Sequence, residues 1–132
     1  MNELQALIKI IGPRRLSRFL VTGSRGWVDW QTIRDALRAV HIHSPDAVMV
    51  NGKAYGADCL CAAMWQHAGG VVEFHVPEWK VMGPKAGVVR NIRMVESGVD
   101  LCLAFIVNKS SGASQCAEYA EYRNVPTIRF EV

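Results

Sequence analysis

The sequence predicts an α/β fold: a single Rossmann-like, doubly wound domain of about five mostly parallel strands with helices on both faces. Two observations lead to this class. Short apolar runs alternate with amphipathic helical segments along most of the chain. Three of those runs end in glycine-bearing loops, at Gly23, Gly52 and Gly112, and each loop precedes a helical segment. Because ligands of open parallel sheets bind outside the carboxyl ends of the strands, the same loops indicate where a site would lie.

The first predicted element is a short amphipathic helix over residues 2–11, which Gly12-Pro13 ends. It precedes the alternation of strands and helices. We therefore predict an N-terminal helix and connector over residues 1–17 and the domain itself over residues 18–132, a length that fits one domain. The apolar stripe of this helix and tryptophans that we expect at the surface predict a homodimer or a higher homo-oligomer.

The alternation supplies the remaining elements. Strands are predicted over residues 19–21, 47–50, 71–76, 101–105 and 127–130. Helices are expected over about 29–41, with Asp29 as its cap, and over about 57–67, 88–97 and 114–122, whereas residues 80–87 read as a loop. In the common doubly wound order the first and fourth strands are neighbours. The loops at Gly23 and Gly112 should therefore flank one crevice.

Composition narrows the class of partner. The net charge of +3 and the pI near 8.8 suit an anionic ligand but are too weak to predict a nucleic-acid groove. No apolar run approaches the roughly 20 residues of a membrane span, and no signal peptide is visible, so we expect a cytoplasmic protein without membrane contact. The four cysteines lie in apolar patterns and are interpreted as buried free thiols. We expect neither a metal nor a cofactor.

The three loops predict a phosphate-bearing ligand. Glycine lets the backbone approach an anion, and a helix N-terminus offers unpaired N–H groups at the positive end of its dipole. Arginine adds a forked donor for phosphate. The predicted ligand-binding residues are Gly23, Ser24, Arg25, Gly52, Lys53, Ala54, Gly56, Asp58, Gly87, Arg90, Asn91, Ser111, Gly112, Ala113 and Ser114.

Several of these residues have a second interpretation. Gly56 also suits tight packing of a helix on a strand, and Lys53 is equally well explained as a solvated charge. Asp58 is best interpreted as a helix cap; the alternatives are a bond to a ribose hydroxyl or a role in ordering its loop. Trp79 could stack on a base, as could Trp27 and Trp30, but anchoring of a loop or a subunit contact is the commoner use of a tryptophan.

The motifs also occur together in a known family. The chain resembles YspA-type (YpsA-related) proteins of the SLOG superfamily over roughly residues 18–130, in the order Thr22-Gly23-Ser24-Arg25, Asn51-Gly52-Lys53-Ala54-Tyr55-Gly56-Ala57-Asp58, Pro77-Glu78-Trp79, Ala86-Gly87 with Arg90-Asn91, and Ala104-Phe105. The resemblance implies a Rossmann-like sheet, a site for a nucleotide or nucleotide-derived ligand that Arg90 faces, and a bacterial or phage origin. In this resemblance, residues 110–114 stand where relatives have a Gly-Gly-Thr-like phosphate loop; a serine replaces a glycine, and Ser114 stands in for the threonine.

The resemblance leaves three functions open. LOG phosphoribohydrolases, which are relatives, pair a helix arginine with a glutamate just after the glycine-rich loop, and Arg90 is the matching arginine and candidate catalytic residue. Gln115 and Cys116 stand where the acid should be, and Glu118 lies about one helical turn further on. We therefore place ligand binding, as a sensor or processing domain, before hydrolysis of a nucleotide N-glycosidic bond. DNA binding in the manner of DprA comes third, since no basic stripe interleaved with aromatic residues is present.

Overall fold

A computed structural model of the chain describes residues 2–132 and confirms the predicted α/β fold. Five strands form one sheet in the order β3-β2-β1-β4-β5, and every neighbouring pair is parallel. The first and fourth strands are therefore neighbours, as predicted. The strands are β1 Arg18–Gly23, β2 Val48–Asn51, β3 Val71–Phe74, β4 Leu101–Ile106 and β5 Thr127–Glu131.

Six α-helices accompany the sheet within the described residues: α1 Glu3–Ile11, α2 Trp30–His43, α3 Ala57–His67, α4 Trp79–Met82, α5 Ala86–Glu96 and α6 Ser111–Tyr122. A 3₁₀ turn over Gly83–Lys85 joins α4 to α5. The prediction of a loop over residues 80–87 is therefore wrong, because these residues are helical. The pair Gly83-Pro84 is typical of a loop, but proline is also well tolerated in the first turn of a helix, and it takes that position here.

The two faces of the sheet are sorted by alternation along the strands. In β1, Phe19 and Val21 pack in the core shared with α1, α2 and α3, whereas Leu20 packs with residues of α5 and α6 on the other face. The strand β4, which pairs with the central strand β1, is buried along its whole length. Burying one large apolar side chain stabilises the folded state by about 1.5–3 kcal/mol. The buried strands β1 and β4 therefore hold the loops at their carboxyl ends in place.

The N-terminal helix is part of the packed structure. Asn2 and Gln5 form a reciprocal capping box at its start, and Leu7 and Ile11 are buried in the core of the α1–α3 face. The helix contacts α2 and β5. Its apolar stripe is thus largely used within the chain, although Ile8 stays exposed.

Two kinds of side chain, the cysteines and a tryptophan, differ in part from what the sequence predicts. Cys61, Cys102 and Cys116 are buried free thiols, but Cys59 is exposed, so that part of the prediction is wrong. Cys59 lies on the solvent side of α3, where its thiol donates to the carbonyl oxygen of Ala54 at 3.1 Å. Trp27 is buried rather than exposed, because its indole N–H donates to the carbonyl oxygen of Asp29 and its ring joins the core.

No helix in the described part of the chain has the length and apolar character needed to cross a membrane. Residues 2–132 also contain no group of three or more histidine, cysteine or acidic side chains arranged to hold a metal ion.

Candidate ligand-binding crevice

A cavity of about 780 Å³ opens at the carboxyl ends of β1 and β4, between α5 and the start of α6. This is the switch point of the sheet, where successive connections leave in opposite directions. Most of the residues predicted from the sequence line it together: Gly23, Ser24, Arg25, Ala54, Asp58, Gly87, Arg90, Asn91, Ser111, Gly112 and Ala113.

Four predicted residues lie outside this lining. Gly52 is directly behind it, since a Cβ atom at Gly52 would press on the Arg90 guanidinium. Gly56 has φ +82°, and a Cβ atom there would collide with the carbonyl oxygens of the loop after β1, so tight packing explains this glycine. The Lys53 ammonium instead lies over the Phe74 ring, 5.4 Å from its centre. Ser114 is within α6, past its first turn.

The start of α6 forms the anion-attracting part of the crevice. The N–H groups of Ser111, Gly112 and Ala113 make no hydrogen bond to any residue in the described chain. Ser110 occupies the N-cap position, yet its side chain does not cap the helix. The three residues line the cavity, and their N–H groups are free donors at the positive end of a 12-residue helix.

The Ser110 hydroxyl is used elsewhere. It pairs with the Ser24 hydroxyl at 2.5 Å, and the same Ser24 oxygen accepts from the backbone N–H of Val107 at 2.8 Å. The Ser24 hydroxyl thus joins the loop after β1 to the loop after β4. We conclude that Ser24 holds the two walls of the crevice together.

Arg90 supplies the central positive charge. Its Nε donates to Asn91 Oδ1 at 2.8 Å, and its Nη1 donates to the carbonyl oxygen of Gly52 at 2.5 Å. Both acceptors are neutral, and Arg90 makes no ion pair with another described residue. Asn91 in turn donates to Gln115 Oε1 at 2.9 Å, which couples α5 to α6. The guanidinium is thus oriented by the fold while keeping donors free.

Arg25 brings a second positive charge to the opposite wall. It is exposed, follows the end of β1 and, like Arg90, has no acidic partner among residues 2–132. The crevice therefore combines two unpaired guanidinium groups with a helix N-terminus, an arrangement that attracts anions.

Asp58 is the acidic residue of the crevice, and only 4% of its surface is exposed. Its Oδ2 accepts from the N–H of Ala54 at 3.2 Å, whereas its Oδ1 has no partner in the described chain. Burial raises the pKa of Asp58 to about 6, against the opposing effects of the Ala54 bond and the Arg90 charge. Gly56 is the N-cap residue of α3, so the interpretation of Asp58 as a cap is wrong: the carboxyl group orders the preceding loop.

Sequence reasoning missed several residues that shape the site. Asn51 is fully buried, and its side chain donates to the carbonyl oxygen of Asp58 at 2.9 Å and accepts from the N–H of Lys53 at 2.7 Å, which fixes the loop after β2. Gln115 lines the crevice and meets Asn91. Its position four residues after Ser111 on a helix is the signal that could have identified it.

The fold and the crevice define an α/β protein of the doubly wound type with an anion-attracting site at its switch point. Comparison with known proteins gives the family. The model of the YspA, cpYpsA-related SLOG family matches residues 17–81, which span β1 to α4. The chain is also 41% identical over 121 residues to Gene 61 protein of Mycobacterium phage D29, an alignment that covers 87% of this chain and 97% of that protein.

The chain therefore belongs to the YspA, cpYpsA-related SLOG family, which confirms the resemblance found in its motifs. A phage relative agrees with the expected bacterial or phage origin. No solved structure matches the chain.

Proposed function

We propose that the crevice binds a nucleotide or a nucleotide-derived ligand, as a sensor or processing domain, with a phosphate group at the start of α6. One observation carries the proposal: free backbone N–H groups and guanidinium groups without an acidic partner line one cavity from different elements. They are the N–H groups of Ser111, Gly112 and Ala113 and the guanidinium groups of Arg25 and Arg90. The volume of the cavity falls within the range of small-molecule sites.

The arrangement supports a phosphate bound from two sides. Gly112 has open space where a Cβ atom would be, so an anion can approach the backbone of α6 closely. Arg90, held by Gly52 and Asn91, faces the same space with its remaining N–H groups. Charge-assisted bonds of this kind are about twice as strong as neutral ones.

A ligand larger than phosphate is supported by the rest of the cavity. Asp58 offers a buried acceptor that suits a hydroxyl donor such as that of a ribose. Membership of the SLOG family also favours a nucleotide-related ligand.

The proposal is tested by a thermal-shift screen of nucleoside monophosphates, cyclic nucleotides, NAD and ADP-ribose. A ligand that binds only the folded state raises the melting temperature by mass action. We expect a selective rise that Arg90→Ala removes and that Arg93→Ala keeps. Arg93 is a matched control, because it lies three residues later on α5 and pairs with Glu78 outside the crevice. If no compound stabilises the wild-type protein, the proposal is wrong.

Hydrolysis of a nucleotide N-glycosidic bond is the second candidate, and Asp58 is the observation that favours it. A carboxyl group with a pKa of about 6 can hold or release a proton near neutral pH, as acid–base catalysis requires. Glu118 is exposed on α6 and lies outside the crevice lining, so it does not supply this group. The test is release of free base from nucleoside monophosphates, with Asp58→Asn and Arg90→Ala as controls. Release no greater than that of Arg90→Ala would reject hydrolysis and leave binding intact.

We also propose that the chain forms a homo-oligomer through a mainly apolar groove of about 460 Å³ between α1 and α2. Asp35, which pairs with Arg34 at 3.1 Å, and Arg38 line this groove, and a twofold contact would place the same apolar and charged side chains of two copies against each other. Ile8 and Ile42 beside them are exposed. Light scattering tests this directly, and a monomeric mass would contradict it.

A further inference from the structure

The tryptophans of this chain differ in whether their rings are already in use. Trp65 is buried with its ring edge-to-face against Phe19, at a centroid distance of 4.9 Å. Trp27 is buried with its ring against Phe105, at 5.5 Å. Both rings are fully engaged in the core.

Two tryptophans are half exposed, Trp30 at 49% and Trp79 at 50%. The Trp30 ring has a partner, since the Arg34 guanidinium lies over it at 5.3 Å. For Trp79, by contrast, no aromatic ring and no cation of residues 2–132 packs on the ring. Exposure alone does not distinguish the two residues, but the free ring and its position do.

Trp79 lies in the wall of the crevice. It begins α4, and its ring lines the same cavity as the start of α6 and Arg90. The backbone of α5 supports the ring, because a Cβ atom at Gly87 would be 3.4 Å from its Cη2 atom. Pro84 and Val88 line the cavity beside it. The site thus has an apolar, aromatic part in addition to its charged part.

We propose that Trp79 is the stacking platform for the base of the ligand, so that the crevice selects phosphate compounds that carry an aromatic heterocycle. This inference rests on the proposed binding function and makes it more specific. Stacking on an exposed indole uses the flat face of any base and needs no defined hydrogen bonds. The larger ring system of a purine should therefore bind more tightly than a pyrimidine.

The experiment uses calorimetric titration of the full chain with AMP, GMP, CMP and UMP, and with ribose 5-phosphate as the compound that lacks a base. Loss of a stacked base weakens binding roughly 5- to 150-fold in comparable sites. We expect Trp79→Leu to weaken the binding of AMP by such a factor and to leave the binding of ribose 5-phosphate unchanged. Trp79→Phe should keep most of the affinity, because it keeps a flat ring.

Two controls separate stacking from folding. Leucine keeps an apolar side chain but removes the flat ring that lies against Gly87. Unchanged binding of ribose 5-phosphate in Trp79→Leu shows that the crevice is still folded. Trp30→Leu removes an equally exposed ring outside the crevice lining and should leave AMP binding unchanged.

The outcomes are distinct. If AMP binds no better than ribose 5-phosphate, or if Trp79→Leu weakens both equally, the stacking proposal is overturned while phosphate binding in the crevice stands. If neither AMP nor ribose 5-phosphate nor any other nucleotide binds the wild-type protein, the proposed function itself fails, and the stacking proposal fails with it.

Discussion

Two arginines at opposite ends of the parallel strands show how this molecule uses charge. Arg18, at the beginning of β1, donates to both carboxylate oxygens of Glu73, at 2.5 and 3.0 Å, and also to Ser97 and to the carbonyl oxygen of Gly98. Arg90, near the carboxyl ends, donates only to neutral oxygens. The arginine at the beginning of the strands thus has acidic and neutral hydrogen-bond partners, whereas the arginine near their carboxyl ends has no acidic partner and keeps free donors.

The acids at the two ends differ in the same way. Hydrogen bonds from Arg18 and His75 lower the pKa of Glu73 to about 2, so this carboxylate is held in its charged form. Burial raises the pKa of Asp58 to about 6, and one of its oxygens has no partner in the described chain. Satisfied charges indicate a structural role, whereas unsatisfied groups that converge on a cavity indicate a ligand.

The largest expected effect is a loss of nucleotide affinity, caused by a bulky side chain at the start of α6 that fills the crevice. Gly112→Phe places a ring in the crevice where the glycine has open space around it, so the fold should tolerate it. We expect the affinity for the best nucleotide to fall by about 100-fold or more, equivalent to two charge-assisted hydrogen bonds, with little change in melting temperature. Gly112→Ala is the graded control and should have a small effect. Unchanged affinity in Gly112→Phe would remove the proposed phosphate position.

The second prediction concerns the pH dependence of stability. Because the pKa of Asp58 is raised, the folded protein binds this proton more tightly than the unfolded chain, so stability falls as the pH rises through about 4 to 6. Between pH 4.5 and 7.5 this group alone should reduce the free energy of unfolding by about 2 kcal/mol. Denaturant unfolding of Asp58→Asn should lack that decrease.

Asp46→Asn removes an exposed carboxyl group and serves as the control for Asp58→Asn. It should show the same pH dependence as the wild-type protein. Equal pH dependence in all three proteins would mean that Asp58 is not buried in the way the structure shows.

The smallest effect is expected on stability, at the ion pair of Arg18 with Glu73. Arg18→Met should lower the free energy of unfolding by about 1 kcal/mol at neutral pH, since the pair with Glu73 is partly exposed and screened by solvent. The Glu73 contribution is present above about pH 4.5 and is lost as the pH falls toward 2, so acid unfolding of this variant should be shallower. Nucleotide affinity should not change. If Arg18→Met lowered the affinity as much as Arg90→Ala does, then Arg18 would not have the purely structural role that its ion pair indicates.

The strand order and the place of the crevice could be predicted because they follow from local patterns. Apolar runs ending in glycine loops indicate parallel strands, and the neighbours β1 and β4 then bring the loops at Gly23 and Gly112 together. Arg90 was also placed in the crevice by its motif.

The roles of individual residues depended on distances that the sequence does not contain. Gly56 and Gly112 both precede or begin a helix in a glycine-bearing loop. Gly56 has a positive φ and is tightly packed, whereas Gly112 has open space around it. Whether Asp58 caps α3 depends on the residue at which that helix begins. The burial of Trp27, in the loop after β1, depends on contact with Phe105, which lies on β4.

The central claim is that the free N–H groups at the start of α6 hold the phosphate of a nucleotide. An amide-resolved NMR titration tests it most directly, and a chain of 14.6 kDa is well suited to it. On addition of AMP or ADP-ribose, we predict that the largest shifts occur at the amides of Ser111, Gly112 and Ala113, and that the amides around Arg18 stay unchanged. Saturable shifts confined to another surface, or no shifts with any nucleotide, would contradict the account.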